Sequence, residues 1–124
     1  MNPRVKDMWL TALRSGEYKQ GKHQLRTDNK FCCLGVLCDL YAKTMNTMDW
    51  VEERRENENR ELMYSFAGSG DVDSYVLPAT VANWAELPDS NPRIQVSWGK
   101  TNLADENDGG ADFTHIATLI EEQL

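Results

Sequence analysis

The run FCCLGVLCDLY, from Phe31 to Tyr41, most constrains how this chain can fold. Its first eight residues are apolar on both alternating faces, which fits either a buried strand or a buried helix. One helical face continues past the end of the run, and it favours a helix over about 31–44, with Asp28 or Asn29 as its cap. Gly35 inside that helix costs about 1 kcal/mol relative to alanine. We therefore expect another backbone to approach Gly35 closely.

Three cysteines lie in this run, and they are the first place to look for chemistry. Their spacing, C-C-x4-C, matches none of the usual zinc patterns, so we assign no metal ligand. A helix N-terminus lowers a thiol pKa, and His23 or His115 could supply the base that a catalytic thiol requires. The apolar neighbours predict deep burial instead, and a buried thiol is inert. We therefore assign no catalytic residue, although a small cytosolic enzyme with a Cys/His site stays an alternative.

Apolar spacing predicts three further helices. The first begins after the capping residue Asn2 and ends at Ser15-Gly16, the second opens at Pro78, and the third follows the capping residue Asp112. A short helical turn is also expected within 100–107.

Strand signals are confined to short segments between these helices. Residues 93–98 alternate with period two, which predicts a half-buried strand. Strand-like segments at 62–66 and 74–77 flank a Gly-rich turn and predict an antiparallel hairpin. The polar segment 45–61 has helical propensity without an apolar stripe, and we expect a surface excursion anchored by Trp50. The predicted fold is α+β, a single domain over 1–124 with about four helices packed on a small antiparallel β-sheet.

Charge is distributed unevenly along the chain. The net charge is −7, yet residues 1–30 carry +4 and the remainder −11. An acidic protein lacks the clustered cations that phosphate backbones require, so direct nucleic-acid binding is disfavoured. No apolar run approaches the roughly 18 residues of a membrane span, and no signal peptide is visible. We therefore expect a cytoplasmic protein with no membrane partner.

Two clusters are candidate ligand sites. The densest basic cluster surrounds Gly21 and could hold a phosphate group, although no P-loop is present; it comprises Lys19, Gln20, Lys22, His23 and Arg26. The second is the acidic turn with Asn107 and Asp108. A calcium loop fits this turn poorly, because Gly109 and Ile116 occupy ligand positions, so a backbone-bonding turn between two helices is the preferred interpretation. No cofactor is predicted.

Several sequence blocks together resemble a known family. They are ALRSGEYKQ after Trp9, FCCLGVLCDL, and LADENDGG at 103–110. In these blocks the chain is similar to small uncharacterised proteins encoded by tailed bacteriophages and prophages. The resemblance implies an accessory phage gene, many of which counter host defence or redirect host machinery, and it implies no mechanism.

The sequence therefore predicts a non-enzymatic binding protein that acts in the host cell cytoplasm. Its partner is expected to be a host protein or a host-derived, nucleotide-like small anion. In an alternative, the acidic face at 105–122 mimics nucleic acid and occupies a basic host surface. The formation of a homo-oligomer is a further possibility that the sequence leaves open.

Overall fold

The apolar run forms the central helix of the computed structural model, which describes residues 1–68 and 70–124. This helix, α2 (Cys33–Met45), is buried from its first residue through Cys38. It begins later than predicted, because β3 (Lys30–Phe31) precedes it and separates it from both expected caps. Cys32 is the cap instead, and its Sγ accepts a hydrogen bond from the Gly35 N–H at 3.4 Å. The prediction of Asp28 or Asn29 as the cap was wrong.

The close approach expected at Gly35 is confirmed. A Cβ atom at this position would overlap the carbonyl group of Leu25. Leu25 is fully buried, and its carbonyl oxygen accepts a hydrogen bond from the Cys32 N–H at 3.2 Å. Gly35 therefore lets the segment before β3 lie directly against the first turn of α2.

The described residues form four other helices. Asn2 caps the first of them through the N–H groups of Arg4 and Val5, and Asp112 caps the last through the His115 N–H, both as predicted. The first and last helices pack against each other, and the first also packs against α2. The four are α1 (Pro3–Arg14), α3 (Ala79–Trp84), α4 (Leu103–Asp108) and α5 (Phe113–Gln123).

The main sheet has six short strands in the described part of the chain, and it is mixed rather than antiparallel. Besides β3, its strands are β1 (Lys19–Gln20), β2 (Arg26–Thr27), β4 (Asp49–Glu56), β5 (Leu62–Gly68) and β6 (Asp71–Asp73). The parallel pair is β1 with β3, whereas every other pair is antiparallel. The order is β1-β3-β2-β5-β4, with β6 also paired to β5. A separate hairpin joins β7 (Arg93–Val96) to β8 (Gly99–Asn102).

The polar segment 45–61 contributes a strand to this sheet. Its side chains are mostly exposed, but its backbone pairs with β5 over β4, and the helical propensity is overridden. Trp50 turns inward as predicted and packs against Phe66, with ring centroids 4.8 Å apart. The predicted hairpin after residue 62 is present, although its second strand is β6 rather than 74–77. The expected turn includes Ser69, which lies outside the described residues.

The architecture is a small α+β domain, as the sequence predicted. It has five helices in the described residues, three of them substantial, together with the mixed sheet and the β7–β8 hairpin. None of these helices combines the length and the apolar character that a membrane crossing would require.

Candidate functional site

The predicted basic cluster is divided between the two faces of the sheet. Successive side chains of a strand point to opposite faces. Lys19 and Gln20 are adjacent on β1, and Arg26 and Thr27 are adjacent on β2. In each pair, the first residue lines a cleft on one face and the second lines a cleft on the other face. Lys22 lies on the second side, so it does not share a site with Arg26.

Four of the predicted site residues are joined by hydrogen bonds into a structural clasp: Gln20, His23, Asn107 and Asp108. Asn107 is fully buried, and its Oδ1 accepts hydrogen bonds from Gln20 Nε2 at 2.9 Å and from the Cys33 N–H at 3.1 Å. Its Nδ2 donates to the Gly21 carbonyl at 2.8 Å. Because both ends of the carboxamide are satisfied within the protein, Asn107 ties α4 to α2 and to the basic loop.

His23 and Asp108 complete this clasp. The His23 N–H donates to Asp108 Oδ1 at 2.9 Å, and the His23 Nδ1 lies 3.5 Å from Asp108 Oδ2. His23 adopts a positive φ of 70°, an uncommon conformation for a residue other than glycine. The sequence correctly expected Asn107 or Asp108 to bond to the backbone, but the bonds run to distant segments rather than within the turn.

The first cleft, here named the arginine cleft, carries two cations without a carboxylate partner. Neither Lys19 nor Arg26 forms an ion pair within residues 1–68 and 70–124. The third cation, Lys43, pairs with Asp39 at 3.0 Å. The cleft measures about 830 Å³ and is lined by Gly16, Glu17, Tyr18, Lys19, Arg26, Asn29, Phe31, Asp39 and Lys43.

Arg26 is held on an aromatic platform. Its Cζ lies 4.1 Å from the ring centroid of Tyr64, 5.3 Å from that of Phe31 and 5.6 Å from that of Trp50. Its Nε donates to the Asp28 carbonyl at 2.6 Å. These contacts fix the plane of the guanidinium, whose fork geometry suits carboxylate or phosphate groups. The arrangement is therefore suited to holding an anion.

Asp39 does not compete for these free cations. It accepts hydrogen bonds from Tyr18 Oη at 2.5 Å, Trp50 Nε1 at 3.0 Å and Lys43 Nζ. Burial alone would raise the pKa of Asp39, but these hydrogen bonds outweigh it and hold the pKa below its ordinary value. Burial and the hydrogen bond to Asp39 raise the pKa of Tyr18. No sequence pattern indicates this cluster, since Asp39 is one polar position within an apolar run.

The second cleft, here named the glutamine cleft, lies on the other face of the sheet. Its floor includes buried Gln24, which sequence reasoning did not select, and one wall is the turn between β4 and β5. Gln24 is 8% exposed, and its Oε1 has no hydrogen-bond donor among the described residues. The cleft also measures about 830 Å³ and is lined by Gln20, Gly21, Lys22, His23, Gln24, Thr27, Lys30, Glu56, Asn57, Glu58, Asn59, Glu61 and Met63.

The three thiols are packing groups in this structure. Cys33 and Cys38 are fully buried, and Cys32 is 3% exposed. Burial raises the pKa of Cys32 to about 12 and the pKa values of the other two well above the ordinary range. A thiolate at neutral pH is therefore strongly disfavoured at all three positions.

Several carboxylates of the acidic face at 105–122 are engaged within the protein. Asp108 holds His23, Asp112 caps α5, and Glu121 pairs with Arg14 at 3.2 Å. The carboxylates left for a basic partner are therefore fewer than the sequence alone suggests.

Comparison with known proteins places the chain in a family without assigning an activity. The model of the family described as "Domain of unknown function (DUF8296)" matches residues 1–124, so the chain belongs to that family. No curated protein and no solved structure matches it.

Proposed function

We propose that this protein is a non-enzymatic binding protein that holds a small anionic ligand in the arginine cleft. The observation that carries the proposal is a pair of cations, Lys19 and Arg26, that have no ion-pair partner among the described residues and lie on one face of the sheet beside aromatic side chains. A bidentate Arg–phosphate contact contributes both affinity and orientation. Tyr18 and Phe31 line the same cleft and offer rings against which a planar base can pack.

Charge supports the arginine cleft over the glutamine cleft as the anion site. In the arginine cleft, Asp39 and Lys43 neutralise each other, which leaves Lys19 and Arg26 against Glu17. In the glutamine cleft, the turn between β4 and β5 contributes three carboxylates, of which one is paired with a lysine. A phosphate group would therefore be attracted to the first cleft and repelled by that wall of the second.

The biological setting that we propose follows from the resemblance to phage and prophage proteins. An accessory phage protein with such a cleft would sequester a host-derived, nucleotide-like anion in the host cytoplasm, as a counter-defence or host-modulating activity. A host protein that presents a phosphate or carboxylate group to the same cleft is the alternative partner. The buried thiols argue against a Cys/His enzyme.

The test separates the two faces of the sheet. ADP and inorganic phosphate are titrated against the wild-type protein while the melting temperature and the heat of binding are measured. We expect ADP to bind to the wild-type protein, and we expect high salt to lower its affinity. Arg26→Gln and Lys19→Ala should each weaken ADP binding about tenfold, the cost of one charge-assisted contact.

Lys22→Ala is the matched control, because Lys22 belongs to the same basic loop but lines the other cleft. It should leave ADP affinity unchanged. Equal losses from Lys22→Ala and Lys19→Ala would contradict the assignment to the arginine cleft. The absence of any response to ADP or phosphate would reject the small-anion proposal.

A further inference from the structure

Gln24 is a buried polar residue that lines the glutamine cleft, and its Oε1 has no hydrogen-bond partner among the described residues. The side chain is nine-tenths buried, and its Oε1 accepts no hydrogen bond within the described residues. The backbone on both sides is fixed, since the His23 N–H donates to Asp108 and the Leu25 N–H donates to the Ser74 carbonyl at 2.8 Å. The backbone therefore holds Gln24 at the cleft, and the unpaired Oε1 costs free energy until a donor reaches it.

The opposite wall of the cleft supplies negative charge. Glu61 is engaged by Lys30 Nζ at 2.7 Å and by Asn57 Nδ2 at 3.1 Å. Glu56 and Glu58 line the same cleft, and neither has an ion-pair partner in the part of the chain that the structure describes. The cleft thus combines one orphaned neutral acceptor with two uncompensated carboxylates.

Three cationic or titratable side chains also line the cleft, and they do not cancel this charge. Lys30 is committed to Glu61, and His23 lies against Asp108. Lys22 is exposed, and its single positive charge is outweighed by the two carboxylates of Glu56 and Glu58 in the same cleft. The cleft is therefore richer in free acceptors and negative charge than in free donors.

We propose that the glutamine cleft is a second binding site, which takes a ligand that carries a primary ammonium or guanidinium group. Such a group donates several N–H bonds and carries the positive charge that Glu56 and Glu58 attract. One of its N–H groups supplies the donor that Gln24 Oε1 lacks, with the side chain turning toward the ligand. The same chemistry occurs in free polyamines and in the arginine side chain of a polypeptide.

The test uses three probes on the full chain: agmatine, spermidine and Nα-acetyl-arginine amide. Binding is measured by calorimetry and by the shift in melting temperature. At least one probe should bind saturably and raise the melting temperature of the wild-type protein. Tighter binding of agmatine or spermidine identifies a free polyamine as the source, and tighter binding of the capped arginine identifies a polypeptide side chain.

Gln24→Met is the decisive variant, because methionine has a similar length and no amide acceptor. It should raise the melting temperature of the free protein, since an unpaired buried acceptor is replaced by an apolar group. It should also weaken binding of the responding probe about tenfold. Wild-type affinity in this variant would overturn the proposal, and so would a lack of response of the wild-type protein to all three probes.

Glu58→Gln provides a test that does not depend on the core, because Glu58 is exposed. It should weaken binding of the responding probe severalfold, whereas Glu122→Gln, an exposed carboxylate on α5, should not. Equal affinities of these two variants would also overturn the proposal. ADP should not compete with the cationic probe, because the two clefts share no lining residue. Failure at either site therefore leaves the other site to be judged by its own titration.

Discussion

Gly35 is the residue whose identity is most tightly determined by its surroundings. Any side chain there would meet the Leu25 carbonyl group, which is backbone and cannot rotate away. Gly16 is a useful contrast, because its φ of +77° strains an alanine while nothing lies within 4 Å of the added Cβ. A substitution at Gly35 therefore tests the cost of steric overlap, and a substitution at Gly16 tests the cost of backbone conformation alone.

We therefore predict that Gly35→Ala destabilises the protein by at least about 3 kcal/mol, since α2 and the Leu25 segment must move apart. Gly16→Ala should cost only about 1–2 kcal/mol, the penalty for a left-handed alanine. Urea unfolding of both variants measures the difference in the free energy of unfolding. Equal losses would show that the close approach at Gly35 contributes nothing beyond backbone strain.

At the scale of elements, Asp39 joins three segments that are distant in sequence. Its carboxylate, on α2, accepts hydrogen bonds from Tyr18 in the α1–β1 connection and from Trp50 on β4. The surrounding aromatic rings are in edge-to-face contact, with Phe31 between Tyr18 and Trp50 at centroid distances of 5.3 and 5.7 Å. The Asp39 carboxylate therefore holds Trp50, one ring of the platform under Arg26, and Tyr18, which packs against a second ring, Phe31.

Stability should depend on pH through this carboxylate. The pKa of Asp39 in the folded protein lies below its ordinary value. The ionised carboxylate therefore stabilises the protein at every pH above the ordinary pKa, which is that of the unfolded chain. This stabilisation is lost as the pH falls through the folded-state pKa. Asp39→Asn should thus cost about 1–2 kcal/mol at pH 7 and progressively less under acidic conditions.

Urea unfolding of wild type and Asp39→Asn at several pH values provides the measurement. Glu52→Gln is the control, because Glu52 is an exposed carboxylate on β4, and its effect should be small at every pH. A difference between wild type and Asp39→Asn that does not shrink in acid would contradict the assigned role of the ionised carboxylate.

At the scale of the whole molecule, the three thiols report on global opening. They lie in the centre of the core, which joins residues from all five helices and from β4, β5 and β7. Because side chains from many elements enclose them, we expect reagents to reach them only when most of the fold opens. The pKa of Cys32, about 12, lowers its reactivity further.

We predict that iodoacetamide modifies none of the three cysteines in the native protein on the timescale on which it modifies all three in urea. The labelling rate should follow the free energy of unfolding when urea is varied below the transition. Mass spectrometry counts the modified thiols. One thiol that reacts rapidly in the native state would restore the Cys/His enzyme as a serious candidate.

Local sequence determined much of this architecture. The apolar stripes and the caps at Asn2 and Asp112 identified the helices, because helix periodicity and capping depend on neighbouring residues. The close approach at Gly35 was also predictable, since a glycine within an apolar helix needs a packing reason. The α+β class followed from these signals together with the period-two segments.

Tertiary structure decided what the local signals could not. Strand register separated Lys19 and Arg26 from Lys22, which are close in sequence but line opposite faces of the sheet. Long-range packing drew Asn107 inward as part of the clasp and left the buried Gln24 Oε1 without a donor among the described residues. Burial of the apolar run could be predicted from the sequence, because the tendency to be buried depends on the hydrophobicity of each side chain by itself. Which charges share a site depends on which strands pair, and pairing is set by contacts between segments far apart in the chain.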